Sequence, residues 1–253
     1  LIKTFVMDLI RFYCKPISKP SVELSGSEAH HLSAVRRLTV GDKVELFDGA
    51  GTVATATIAT STNKRVSLRV DEIKTLPKPP QEQIVIAVSI AKGDRFDWMI
   101  EKCTELGVGR ISPVIFERTV KQPRNPHITS RWNNLAIAAA KQSGRVFLPR
   151  IDNPMTLADA IKILRKDFPQ GKFLLGSPSA EAPSLTSQPL TCNGVIIFIG
   201  PEGGLTEQEQ TFLHNNGVQP VRLADTILRI ETAAVASASI LVALSMIQYP
   251  HAH

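Results

Sequence analysis

Apolar positions follow two regimes along the chain. Up to about residue 75 they alternate with polar ones over short stretches, the period of half-buried strands. VSLRVDEI (66–73) shows the alternation, and KVELFDGAGTVATATI (43–58) reads as two strands joined by an Asp-Gly-Ala-Gly turn. SGSEAHHLSAVRRL (25–38) predicts a short helix with a Ser cap and a Leu32–Val35 apolar edge. After residue 83, unbroken β-branched runs alternate with segments of helical period. VIIFI (195–199) reads as a strand buried on both faces, IVIAVSIA (84–91) as a buried strand, and RISPVIF (110–116) and KFLLG (172–176) as strands. DRFDWMIEKCTELG (94–107), TSRWNNLAIAAAKQSG (129–144) and TLADAIKILRKDF (156–168) read as helices, the first capped by Asp94 and ended by Gly107. A strand near PVRL (220–223) leads to a last apolar helix from about Ala233 to Ile247.

The change of regime coincides with TLPKPPQEQ (75–83), where Pro77, Pro79 and Pro80 can feed neither a central strand nor a helix interior. The pattern therefore predicts a small β-rich domain over residues 1–76, and an α/β domain with a mainly parallel sheet over 82–253. SPSAEAPSLTSQPLTCN (177–193) is polar and proline-bearing and reads as a loop.

Ligands of parallel sheets collect at the carboxyl ends of the strands. Three exits are unusual here: LLG (174–176), IGPEGG (199–204) and LADTILRIETA (223–233). In the second, Thr206-Glu207-Gln208-Glu209 has the form of a capping box, so the chain runs strand, glycine-rich turn, helix. The G-x-x-x-x-G-K-[ST] and G-x-G-x-x-G phosphate motifs are absent, and Glu202, Glu207 and Glu209 would repel a pyrophosphate at that helix start. A cationic sulfonium ligand fits the sign. There is no G-x-S-x-G. The adjacent His30 and His31 point apart on a helix, and the terminal H-A-H of His251 and His253 could take up a metal only adventitiously, so no functional metal site is expected.

Composition narrows the class. The 253 residues, 43% hydrophobic and 21% charged, suffice for a sizeable core. No apolar run reaches the ~18–20 residues that cross a bilayer, and LIKTFVMDLIRFY at the start is broken by Lys3, Asp8 and Arg11. Cys14, Cys103 and Cys192 are widely spaced and odd in number, which fits a reducing cytoplasm. The net charge is +6, yet residues 110–150 hold eight Lys or Arg against one acid, a local balance of +7. Such a block is a nucleic-acid footprint or a solvated face.

IGPEGGLTEQE followed by ILRIETA resembles the bacterial 16S ribosomal RNA uracil-N3 methyltransferases, the RsmE family of the SPOUT class. HHLSAVRRLTVGDKVELFDGAG resembles that family's PUA-like domain, and KGDRFDWMIEKCTELGV and AAAKQSGRVFLPRI its central signatures. Ala224, Thr226 and Ile230 depart from the family's last motif. The resemblance implies a trefoil-knotted α/β domain formed by the three exits, a homodimer with sites at its interface, 16S ribosomal RNA or the small subunit as substrate, and S-adenosylmethionine as cofactor.

On that reading Leu175, Gly176, Ile199, Gly200, Glu202, Gly203, Leu223, Ile227 and Leu228 hold the cofactor. Arg229 favours the anionic imide of the base, and Glu231 accepts its proton or positions Arg229; a structural Arg229–Glu231 ion pair is the alternative. Arg118, Lys121, Arg124 and Arg145 are expected on phosphates, Gln142 on a base or sugar, and Lys92 and Arg95 on RNA because cations sit poorly at a helix start. Arg11, Arg36 and Arg37 would grip flanking RNA. The rival from another class is an RNA-binding module without catalysis; methyl transfer separates the two.

Overall fold

The computed structural model describes residues 9–62, 64–79, 83–120, 127–189 and 193–248. They form two compact units. Of these residues, one unit holds those from 9 to 78 together with 140–148, and the other those from 79 to 139 and from 149 to 248. The assignment of 140–148 to the first unit has no signal in the sequence pattern.

In the first unit, β1 (Arg11–Tyr13), β2 (Ser21–Ser25), β3 (Lys43–Phe47), β4 (Thr52–Ser61) and β5 (Arg65–Thr75) form one sheet in the order β1-β3-β4-β5-β2. β1 runs parallel to β3 and the other pairs are antiparallel. The alternation read from the sequence turns Leu24, Val44, Leu46, Ala56, Ile58, Val66 and Leu68 inward with Phe12 and Leu32. The β3–β4 turn is held by Asp48, whose Oδ1 accepts from the N–H groups of Ala50 (2.8 Å) and Thr52 (2.9 Å). Gly51 has φ +102°, and a Cβ there would lie 2.6 Å from the Phe147 ring. The 25–38 segment departs from expectation. α1 (Gly26–His30) is five residues long and continues as a π-helical turn over His31–Val35, and the Ser25 side chain accepts no capping hydrogen bond from its N–H groups. His30 is exposed, while His31 packs edge-on against Phe12 at 5.9 Å.

In the second unit the sheet order is β12-β10-β11-β6-β7-β8, with β9 (Met155–Thr156) pairing beside β7 (Arg110–Ile115), and every pairing is parallel. The remaining strands are β6 (Ile84–Ser89), β8 (Arg150–Ile151), β10 (Lys172–Gly176), β11 (Val195–Ile199) and β12 (Gln219–Val221). The helices are α2 (Arg95–Leu106), α3 (Ile128–Ser143), α4 (Leu157–Asp167), α5 (Glu207–Asn215) and α6 (Ile230–Gln248). β6 and β11 are buried at every residue, as their unbroken apolar runs require. α2 ends at Gly107 in the left-handed region (φ +101°), which L side chains rarely adopt. Asp94 makes no side-chain cap, so that expectation fails. Thr206 and Glu209 do form the capping box of α5, each side chain accepting from the other's backbone N–H.

Two further expectations are corrected. The 177–193 loop contains a 3-10 turn, Leu185–Ser187, and buries Ala182 and Leu185 while Ser184 bridges to Arg222. α6 begins at Ile230, three residues earlier than expected, and the N–H of Ala233 donates to the Arg229 carbonyl at 2.8 Å. The polar Arg-Ile-Glu-Thr run hid this start, because Glu231 is buried rather than solvated. With those residues included, α6 is long and apolar enough by length and composition to cross a membrane, and half of it is buried in the protein, packed on α2, β6 and β11.

Candidate functional site

β10, β11 and β12 are parallel neighbours or one strand apart, so their three exits open on one edge of the sheet. A cavity of about 910 Å³ lies there. Of the nine residues expected to hold a cofactor, Leu175, Gly176, Ile199, Gly200, Glu202, Leu223, Ile227 and Leu228 line it. Gly203 does not; it lies instead against Arg118, whose Cβ would be 3.5 Å from an added Cβ. The walls are aliphatic because the last residues of buried strands continue into the loops. The glycines let those walls approach: a Cβ on Gly176 would stand 2.9 Å from Ile199 Cδ1, and one on Gly200 3.3 Å from Leu205 Cδ2. Ala224 and Thr226 also line the cavity, so the departures from the family pattern fall on its wall. An apolar slot of this size with loop backbone at its edge suits a nucleoside-bearing ligand.

Arg229 borders this cavity and also a second cleft of about 650 Å³, lined by Lys92, Gly93, Asp94, Arg95, Trp98, Arg229, Glu231 and Thr232. Lys92 and the start of α2 form one side and the start of α6 the other. Glu231 is 7% exposed, in the first turn of α6, where the helix dipole favours an anion. Its Oε1 is 3.8 Å from Arg95 Nη1, and its Oε2 has no hydrogen-bond partner. The same Arg95 nitrogen donates to Glu202 Oε1 at 3.0 Å. The expected alternative, an Arg229–Glu231 ion pair, is therefore replaced by Arg95–Glu231, and among the described residues Arg229 makes no ion pair. Sequence reasoning missed Trp98, which is 45% exposed beside these charges. Nothing in the sequence pattern marks it, because the helical period identifies only the buried face of α2.

The basic block is less free than its charge suggests. Arg110 is buried and paired with Asp152 and Asp167, each at 2.6 Å. Arg150 also pairs with Asp152, Arg131 with Asp97, and Lys141 with Glu28. Acids outside 110–150 thus neutralise half of the eight cations. Arg11, expected on RNA, is largely buried, held by Glu45 and the Ala140 carbonyl over the Phe47 ring; it is a structural residue of the first unit. Arg145 donates to the Phe147 carbonyl from Nε and Nη2. Arg118 donates to the Gly203 carbonyl at 2.9 Å, which ties the turn after β7 to the glycine-rich exit. Arg37 (φ +54°), Lys92 and Gln142 are exposed. Lys121 and Arg124, as well as Cys192, His251 and His253, lie outside the described residues. Cys103 is core, its thiol pushed up to about 12 by burial, and so is no nucleophile at neutral pH.

The chain's resemblances fit these sites. Residues 77–242 match the family described as RNA methyltransferase domain, and residues 24–71 that described as RNA methyltransferase PUA domain. The chain is 32% identical to the ribosomal RNA small subunit methyltransferase E of Synechocystis sp. over 222 residues, 86% of this chain and 71% of that one. It is 30% identical to the Bacillus subtilis protein of the same name, over 91% and 90%. The crystal structure of ribosomal RNA small subunit methyltransferase E from Neisseria gonorrhoeae, bound to S-adenosyl methionine, superposes with a TM-score of 0.83 at 32% identity, covering 93% of this chain and 98% of that one.

Proposed function

The chain belongs to the RNA methyltransferase family, and from that premise we propose that it methylates N3 of a uridine in 16S ribosomal RNA with S-adenosylmethionine. The observation that carries this reading is that Arg229 borders both an apolar slot and a charged cleft. One seats a nucleoside cofactor and the other a base, with the reacting atoms meeting between them.

The fit to the cofactor rests on the slot itself. Leu175, Ile199, Leu223 and Leu228 supply aliphatic walls, and Gly176 and Gly200 allow close backbone approach. Glu202 places an acid at its rim, a suitable neighbour for a sulfonium. Bound there, S-adenosylmethionine supplies an electrophilic methyl group. The protein's own task is to make N3 a nucleophile. Arg229 stabilises the imide anion by proximity of its charge, and Glu231 accepts the N3 proton. The buried carboxylate, with one oxygen unpartnered, is suited to that task.

We assign phosphate and sugar contacts to Lys92, Arg118, Arg37 and Gln142, and expect binding to weaken steeply with salt. We place the protein in the cytoplasm as a homodimer, a second copy covering the end of α6, where Met246 is 51% and Ile247 74% exposed. Methyl transfer from tritiated S-adenosylmethionine to 16S RNA and to small subunits, with the modified atom located by mass spectrometry, tests the function. A label on a ribose 2′-oxygen, or no transfer by a folded protein that binds RNA, overturns it.

A further inference from the structure

We propose that Trp98 is the stacking face on which the target uracil lies, and so a specificity-determining residue of the site; this rests on reading the α2–α6 cleft as the base-binding half of a methyltransferase. The reaction occurs at the edge of the base, since the N3 lone pair lies in the ring plane. A base reacting there has to be held by its faces, leaving the edge to Arg229 and Glu231. The cleft lined by Arg229 and Glu231 holds one aromatic residue, Trp98.

Three observations support the assignment. First, an indole that is 45% exposed stands out on a helix where Phe96, Met99 and Ile100 are buried and Leu106 is partly so. The chain's other tryptophan, Trp132, is 2% exposed and packs 4.8 Å from Phe96. Second, Lys92, Arg95 and Arg229 line the same cleft, so a flipped nucleotide finds cations for its phosphates and carbonyl oxygens beside a flat apolar surface, the combination that binds single bases. Third, Glu231 is more than nine-tenths buried at the edge of this cleft, with Oε2 unpartnered. An anion left so is consistent with a missing donor, and the N3–H of uracil is one. Cytosine presents a lone pair at the same atom and would meet the carboxylate with repulsion.

The test uses the full chain, with 16S RNA and small subunits as probes. The proposal expects RNA to quench the exposed tryptophan of the parent, with that component absent from Trp98→Phe. It expects Trp98→Ala to raise KM for RNA by roughly 5- to 150-fold, the span measured for loss of one base–aromatic stack. Trp98→Phe should retain most of the activity and Trp98→Leu little of it. S-adenosylmethionine affinity by calorimetry and molecular mass by light scattering should be unchanged in all three. Parental KM and kcat in Trp98→Ala overturn the proposal. So does a Trp98→Leu protein as active as Trp98→Phe, or a loss of activity accompanied by a change of mass, which would make Trp98 an interface residue. If the parent transfers no methyl group yet RNA quenches Trp98, stacking stands and the methylation reading falls; if it methylates uridine with no quenching, stacking alone falls.

Discussion

Arg95 Nη1 lies 3.8 Å from the buried carboxylate of Glu231, and the same nitrogen is 3.0 Å from Glu202. One guanidinium thus joins the glycine-rich exit of β11 to the first turn of α6, linking the apolar cavity to the charged cleft. Arg95 is 40% exposed and Glu231 9% by side chain, so the pair is asymmetric: removing the cation leaves a buried charge behind.

Arg95→Ala should therefore lower stability by about 1–3 kcal/mol, the cost of an uncompensated buried group discounted for the exposed partner. Urea denaturation measures it. Arg95→Lys keeps a charge but not the planar fork, and should fall between the two. A role confined to RNA phosphates would instead leave the denaturation midpoint unmoved and change the salt slope of RNA binding.

Arg229→Ala should reduce kcat by at least about 100-fold, the usual loss when a group stabilising developing charge is removed, while S-adenosylmethionine affinity stays within a few-fold. Glu231→Gln keeps the shape and removes the base. Its rate should fall by roughly 100-fold, with stability held within about 1 kcal/mol because a neutral amide in that position needs no cation. Single-turnover transfer separates chemistry from RNA binding in both variants.

Gly176→Val tests the slot. A Cβ at Gly176 would be 2.9 Å from Ile199 Cδ1 and 3.5 Å from Leu223 Cδ1, both on the cavity wall. Those side chains can yield only by moving, and the slot is the open space beside them. The overpacking should cost about 1–3 kcal/mol of stability, and S-adenosylmethionine affinity measured by calorimetry should fall at least about tenfold. An unchanged affinity would remove Gly176 from the site.

Much of this is legible in the sequence, because it depends on local order. Buried runs such as Ile84–Ser89 and Val195–Ile199 identify strands, and Thr206 with Glu209 fixes the start of a helix. The exits were legible because glycines at strand ends have few other reasons to cluster. What escaped depends on distant partners. Arg110 looks like a surface cation in one dimension, yet Asp152 and Asp167, some 40 and 60 residues later, neutralise it in the core. Arg95 and Glu231 are 136 positions apart, so no spacing could reveal their pairing. Trp98 escapes because helical period says which face is buried, and not what the other face touches.

The buried cluster gives its own prediction. Arg110 is 4% exposed; Asp152 accepts from it and from Ser112 at 2.6 Å, and one Arg110 nitrogen has no partner. Arg110→Ala should destabilise the protein by about 3–5 kcal/mol, because Asp152 and Asp167 lose their buried cation. Arg110→Met with Asp152→Leu should recover part of that loss: it removes the two most buried charges and leaves the more exposed Asp167 beside Arg150. Neither variant that folds should alter the salt dependence of RNA binding, since a side chain so enclosed reaches no phosphate. A reduced salt slope in Arg110→Met/Asp152→Leu would show the cluster to be part of the RNA-binding face.

His31 contributes a pH dependence to the first unit below neutral pH. Burial holds its pKa below 6.5, and the charges of Lys141 and Arg36 add to this, partly opposed by Glu28. In the unfolded chain the imidazole titrates near 6.5. Below that pH the unfolded state therefore binds more protons than the folded state, and the stability of the fold rises with pH. His31 thus contributes nothing to pH dependence well above 6.5, destabilises progressively as the pH falls from there through its lower folded pKa, and levels off beneath it. Protonation would set a third cation beside Lys141 and Arg36, in a partly desolvated site against Phe12. His31→Gln should accordingly flatten the dependence. Urea midpoints from pH 7.5 to 5.0 should drop more steeply for the parent than for the variant, with His30 and the remaining histidines common to both and cancelling in the difference. A parent that gains stability over His31→Gln on acidification would mean that the imidazolium is favoured in the fold, with Glu28 outweighing burial and the two cations.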